Sequence, residues 1–169
     1  MRYGENPHQS GSFYSYGDHK LKQINGKDLS FNNIYDLESA VSLANEFTDN
    51  SCVIVKHGNP CGVALNKVQH IAYKKALECD KVSAFGGVIA FNSKVTGKTA
   101  KLISKIFTEV VVAPDFDLKA KNLLSQKKNL ILIRYKRSKN SSKFNIKSTE
   151  NFVLVQERNV KVVEQKDLE

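Results

Sequence analysis

Four short apolar runs limit what this chain can fold into: residues 52–55 (CVIV), 88–91 (VIAF), 110–112 (VVV) and 130–133 (LILI). None of them alternates apolar with polar residues. A strand with one wet face alternates, whereas an uninterrupted run rich in Val and Ile suits a strand covered on both faces. The stretches between the runs are long enough for helices, and strands separated by helical segments form βαβ units. The expected fold class is therefore α/β, a three-layer α/β/α sandwich with a mostly parallel sheet in which the first three runs are neighbours. At 169 residues, the chain suffices for one such domain or two very small ones.

The connecting segments support this reading. Asn33 can cap a helix whose apolar positions Ile34, Leu37, Val41, Ala44 and Phe47 recur at helical spacing. A second helix is expected over 68–78, and a third from a Thr96 cap to about 105. After the break at Pro114, a fourth should run to about 128. Residues 12–16 (SFYSY) read as a strand, Asn25-Gly26 as a turn and 152–155 as a further strand. Residues 138–148 are polar, basic and aperiodic, which predicts a loop. There is no internal repeat.

Several classes are disfavoured at once. No apolar run approaches bilayer length, and residues 1–20 lack a basic start followed by an apolar block, so a cytoplasmic chain without a membrane partner is expected. Cys52, Cys61 and Cys79 cannot complete a disulfide framework and form no C-x-x-C pair, as expected in a reducing compartment. The net charge of +9 suggests nucleic acid until it is located. Ten basic residues and no acidic ones fall between Leu118 and Ser148, with only Tyr135 and Phe144 interleaved as aromatics. Stacking platforms for bases need more than that, so the stretch reads as a solvated helix face and a lysine-rich loop, and nucleic acid is not expected as a partner.

Three polar clusters lie where a strand gives way to a loop. Lys56-His57-Gly58-Asn59-Pro60-Cys61-Gly62 follows CVIV and sets an ammonium beside an imidazole. A neighbouring cation disfavours protonation of the imidazole, which suits a general base. Ser83-Ala84-Phe85-Gly86-Gly87 precedes VIAF, with glycines that admit close approach and a ring able to stack. Arg2 to Gln9 is dense in hydrogen-bonding groups. In open α/β sheets ligands bind beyond the carboxyl ends of strands, and the cluster after CVIV fits that rule. A nucleobase-deaminase zinc site needs Pro-Cys-x-x-Cys and a separate His-x-Glu. Here Ala64 takes the place of the second cysteine and Asn59 that of the glutamate, so no metal is expected at Cys61.

RYGENPHQ at 2–9, NGKDLSFNN at 25–33, VKHGNPCGVA at 55–64, SAFGGVIAFN at 83–92 and VVVAP at 110–114 occur in one order. The series resembles the transformylase region of the bifunctional family that joins AICAR transformylase to IMP cyclohydrolase. The resemblance runs from residue 2 to about 158. It implies formyl transfer from 10-formyltetrahydrofolate, as co-substrate, to the 5-amino group of AICAR in purine biosynthesis. It also implies a cytidine deaminase-like sandwich, and a homodimer in the full-length family protein. In these terms the chain is one partial domain, 1–169, the first unit of the transformylase region. On the same resemblance the cyclohydrolase domain and second transformylase unit are expected to be absent from this chain, so activity alone is expected to be poor.

The resemblance further implies residue roles. Lys56 and His57 match the catalytic pair, His57 moving the amine proton and Lys56 stabilising charge on the formyl oxygen. Arg2, Tyr3 and Asn33 match nucleotide-binding positions. Phe85 and Gly86, with Asn59 and Pro60 of the Lys-His motif, line the site, and Glu109 falls where the family often has an acidic residue. The alternative is a non-catalytic nucleotide-binding remnant of the same family.

Overall fold

The computed structural model describes residues 1, 3–14, 20–136, 143–161, 163 and 165–167, with Lys20 and Gln165 as backbone only. Arg2, the end of the 12–16 segment and residues 137–142 lie outside the described residues. The chain divides into two units, residues 1–15 with 19–137, and residues 16–18 with 138–169.

The first unit runs β1 (Lys20–Asn25), α1 (Phe31–Ala44), β2 (Ser51–Lys56), β3 (Asn59–Leu65), α2 (Gln69–Cys79), β4 (Val88–Phe91), α3 (Gly97–Ile103), β5 (Val110–Ala113), α4 (Leu118–Ser125) and β6 (Ile131–Lys136). The six strands form one sheet in the order β1-β6-β5-β4-β2-β3. The β4·β5 and β5·β6 pairs are parallel, and β1·β6, β2·β3 and β2·β4 are antiparallel. Four strands, β3 to β6, thus share a direction, but only β4, β5 and β6 are parallel neighbours. The βαβ reading holds for that trio. It fails at β2, which neighbours β4 as expected yet runs against it because the hairpin to β3 reverses the chain first.

The apolar runs are buried on both faces, and successive residues serve opposite layers. Cys52, Ile54, Ile89, Phe91, Val111 and Leu132 pack with Tyr73 and Ala76 of α2, Ala100 and Ile103 of α3 and Leu124 of α4. Val53, Val55, Val88, Ala90, Val110, Val112 and Ile133 pack with Leu37, Ala40 and Ala44 of α1. The result is a three-layer α/β/α sandwich, with three helices on one face and α1 on the other.

Local corrections follow from caps and turns. The cap of α1 is Ser30, whose side chain accepts from the Asn33 N–H, while Asn33 returns a bond to Ser30 as the third helical residue of a capping box. The helix ends at Ala44, short of Phe47. Thr96 and Asp117 cap α3 and α4, which are shorter than expected. Residues 12–14 are not a strand. In the second unit, the expected loop is a strand over its end: β7 (Phe144–Ser148) pairs antiparallel with β8 (Val153–Glu157).

Candidate functional site

The site is built on the β2–β3 hairpin. Lys56 closes β2 and pairs with Asn59, so His57 and Gly58 are the two turn residues. Both have positive φ, 52° and 75°, as type I′ hairpin turns demand. Gly58 meets this without strain, whereas His57 occupies a region that L side chains seldom enter. The turn is held from α1: the Gly58 N–H donates to Asp36 Oδ1 at 2.6 Å, and the Tyr35 ring lies where a Cβ on Gly58 would go. Asn59 Nδ2 donates to the His57 carbonyl at 3.1 Å. The His57 side chain is exposed on a fixed backbone.

Pro60 and Cys61 sit at an irregularity where Ile54 pairs with Gly62 but Val55 pairs with Pro60. Because β3 is an edge strand, proline costs no ladder bond there. The Cys61 thiol donates to the Ile54 carbonyl at 3.5 Å, and partial burial pushes it above the usual thiol range.

Lys56 is half-buried and donates through Nζ to the Phe85 carbonyl at 2.8 Å. The next residue, Gly86, has φ 70°, and a Cβ there would lie 3.1 Å from Lys56 Nζ. Its N–H donates to the Phe107 carbonyl at 2.9 Å, and the Phe85 and Phe107 rings meet at 5.2 Å between centroids. Phe85 still exposes more than half its surface. Glu109 joins this segment through its N–H to the Gly87 carbonyl, and its Oε2 accepts from Asn33 Nδ2 at 2.9 Å. Asn33 is buried, with its oxygen already bonded to Ser30, so its contribution to a ligand is limited to what the amide nitrogen has left. The Tyr3 carbonyl accepts from the Phe31 N–H, and the Glu5 carbonyl from Asn32 Nδ2, which ties the N-terminal segment to the start of α1.

Lys56, Phe85 and Gly86 are therefore in contact, Glu109 and Asn33 form a second pair linked to them through Gly87, and Tyr3 adjoins the first turn of α1. Arg2 lies outside the described residues. Lys56 is at the carboxyl end of its own strand β2, against Phe85 and Gly86, as the sequence reading expected. Because β2 is antiparallel to β4, with Val55 opposite Val88, that end lies at the amino ends of β4, β5 and β6. Asp36, Tyr35 and Phe107 were missed by sequence reading. Asp36 and Tyr35 looked like the polar face of α1, and their contact with a turn on the far side of β2 left no local signal. Among the described residues, no three His, Cys, Asp or Glu side chains gather as a metal set.

A model of the AICARFT/IMPCHase bienzyme family matches residues 1–169. The chain is 48% identical over 169 residues to a bifunctional purine biosynthesis protein PurH of Clostridium kluyveri, covering 97% of this chain and 34% of that protein. It is 46% identical to the protein of the same description from Thermoanaerobacter sp. over 179 residues, 98% of this chain and 35% of the relative. The Aquifex aeolicus protein is 51% identical over 141 residues, 80% and 28%. The chain thus spans about a third of the length of the curated relatives it matches. With this likeness along its whole length, the chain belongs to the AICARFT/IMPCHase bienzyme family.

Proposed function

We propose that the Lys56–His57 edge serves formyl transfer from 10-formyltetrahydrofolate to the 5-amino group of AICAR, a step in purine biosynthesis. The observation that carries this reading is the hairpin itself, which presents a cation and an imidazole at consecutive positions with the backbone pinned by Asp36. The AICAR amine is conjugated to an electron-poor ring and is a weak nucleophile. As its nitrogen bonds to the formyl carbon, negative charge grows on the formyl oxygen and the amine becomes acidic. His57 takes that proton. Lys56 spends one donor on the Phe85 carbonyl and keeps two N–H groups to stabilise the oxyanion. Collapse breaks the bond from the formyl carbon to N10 of the folate, which leaves as tetrahydrofolate carrying the proton that His57 took from the amine. Phe85, braced by Phe107, offers a face to the aminoimidazole, while Glu109 and Tyr3 supply polar contacts to the nucleotide, with Arg2 suited to its phosphate. Asn59 and Pro60 line the turn beside the pair. The reading includes a cytoplasmic setting and a homodimer for the full-length protein.

The test mixes this chain with the remaining region of the Clostridium kluyveri relative and follows tetrahydrofolate release. His57→Ala should lower the rate by about a thousandfold, within the usual range for a lost acid–base group, and Lys56→Met should do similar damage. Unchanged rates in both variants would overturn the assignment. Cyclisation of the formylated product by this chain, without formyl transfer, would move it to the other activity of the family.

A further inference from the structure

The opposite edge of the sheet holds a cavity that the formyl-transfer reading does not use. Its volume is about 670 Å³, within the range of small-molecule sites. It opens where β5 ends at Ala113 and continues into Pro114 and Asp115, beside the last residues of β6, Arg134 to Lys136. This is the carboxyl edge of the three parallel strands, where open α/β sheets commonly bind ligands.

The lining is cationic. Lys22, Arg134 and Lys136 face one carboxylate, Asp115. That carboxylate is already shared between Lys94, at 3.4 Å, and Arg134, at 4.0 Å. A hydrogen bond from the Phe116 N–H, with the charges of Lys94 and Arg134, holds it below the ordinary carboxylate range, so it remains an anion at neutral pH and is still outnumbered.

Strand register sharpens the point. Lys22 of β1 lies directly opposite Arg134 of β6, and Lys136 is two residues further along the same face. Like charges directly opposite in an antiparallel pair oppose its formation. Lysine on an edge strand discourages edge-to-edge pairing, which accounts for Lys22 on β1. It does not account for Arg134 and Lys136, which sit on the second strand in.

The remaining walls are fixed. Asn92 Nδ2 donates to the Phe47 and Asp49 carbonyls at 3.0 and 2.7 Å, and its Oδ1 accepts from the Ser51 N–H. The Asn45 oxygen accepts from the Tyr135 hydroxyl at 3.0 Å.

We propose that this cavity is a binding site for a small molecule bearing a multiply charged oxyanion, phosphate or carboxylate, held by Arg134, Lys22 and Lys136. The planar guanidinium supplies the paired donors that such groups accept, and the anion relieves the repulsion between Lys22 and Arg134. The inference does not rest on the formyl-transfer reading, and its test needs no enzyme activity.

The 169-residue chain, ¹⁵N-labelled, is titrated with inorganic phosphate and separately with succinate, against sodium chloride of matched ionic strength. Saturable shifts of the Asn45, Asn92, Asp115 and Arg134 amides by about 10 mM are expected, the affinity of a weak site. Saturation by phosphate alone assigns a phosphorylated ligand, and by succinate alone a carboxylate. Arg134→Ala should weaken binding at least about fivefold, as loss of the main donor would. Lys98→Ala in a separate lysine-lined cavity, formed with Val68, Thr96 and Lys119, should change nothing. Thermal melting adds a second measure: Lys22→Gln should raise the melting temperature at low salt and diminish the further rise given by the ligand. No saturation by either anion, shifts spread equally over all lysine-rich surfaces, or binding indifferent to Arg134→Ala would overturn the proposal.

Discussion

His57 is the residue at which stability and the proposed chemistry pull apart. Its φ of 52° is a conformation that asparagine and glycine enter more readily. A β-branched or bulky residue would suffer most there, and histidine pays a smaller share. His57→Asn should therefore keep the turn, with the Gly58 bond to Asp36 intact, and gain roughly 0.5 kcal/mol in urea unfolding through better αL compatibility. The same variant should lose formyl transfer in the complemented assay. A loss of stability would show that the imidazole packs or bonds in a way that outweighs its backbone conformation. Gly62 makes a different demand. A Cβ there would run into the Ala76 carbonyl of α2, so the edge strand approaches the helix backbone directly and a side chain would have to push α2 away.

Among the elements, α3 and α4 are joined by one carboxylate. Asp117 caps α4 through the Ala120 N–H at 2.6 Å and also accepts the Gly97 N–H at the start of α3 at 2.9 Å. The Ala120 bond first, then that from Gly97 and the charge of Lys94, hold its carboxyl below the ordinary aspartate range. A depressed folded pKa contributes stability that is complete above the unfolded value and lost as pH falls through the folded one. Asp117→Asn retains one acceptor oxygen but cannot serve both N–H groups as an anion. It should cost about 1 kcal/mol at pH 7, by analogy with other caps. The gap in urea midpoint between wild type and variant should narrow as pH falls below the usual aspartate range. A constant gap would assign the effect to packing.

These joints also show what sequence reading could reach. The runs CVIV, VIAF, VVV and LILI were legible because burial on both faces leaves no room for alternation, and Thr96 was legible as a cap. The strands β1 and β3 were not. Each lies on a sheet edge, where lysines, Pro60 and a bulge replace the apolar signature. The Lys56–His57 motif was visible as residues and set at the end of CVIV, but 56–62 was read as a loop, so the return strand β3 and the reversed direction of β2 against β4 were missed. The Asp36 contact depends on α1 covering one face of the sheet, a distance that no local pattern encodes.

At the scale of the whole molecule, the proposed catalytic edge is open. Among the described residues, His57 and Phe85 are exposed, and the contacts gathered around them form one wall, from the hairpin across Gly86 to Glu109. Two side chains can move a proton and stabilise an oxyanion on such a wall. They cannot hold an amine and a formyl carbon in line, and alignment of two substrates supplies much of the rate in bimolecular transfer. The chain spans about a third of its relatives' length, so the complementary walls are expected from the rest of the family's polypeptide. A shortfall of about 5 kcal/mol in positioning corresponds to several thousandfold in rate. The chain alone should therefore transfer formyl groups at least about a thousandfold more slowly than the chain mixed with the remaining region of the Clostridium kluyveri relative, measured at equal saturating concentrations of both substrates. If His57→Ala removes the restored activity, the added region supplies positioning while this chain supplies the proton transfer. Equal rates with and without the added region would mean that the hairpin edge closes around its substrates by itself. The positioning argument would then be wrong, even with the roles of Lys56 and His57 intact.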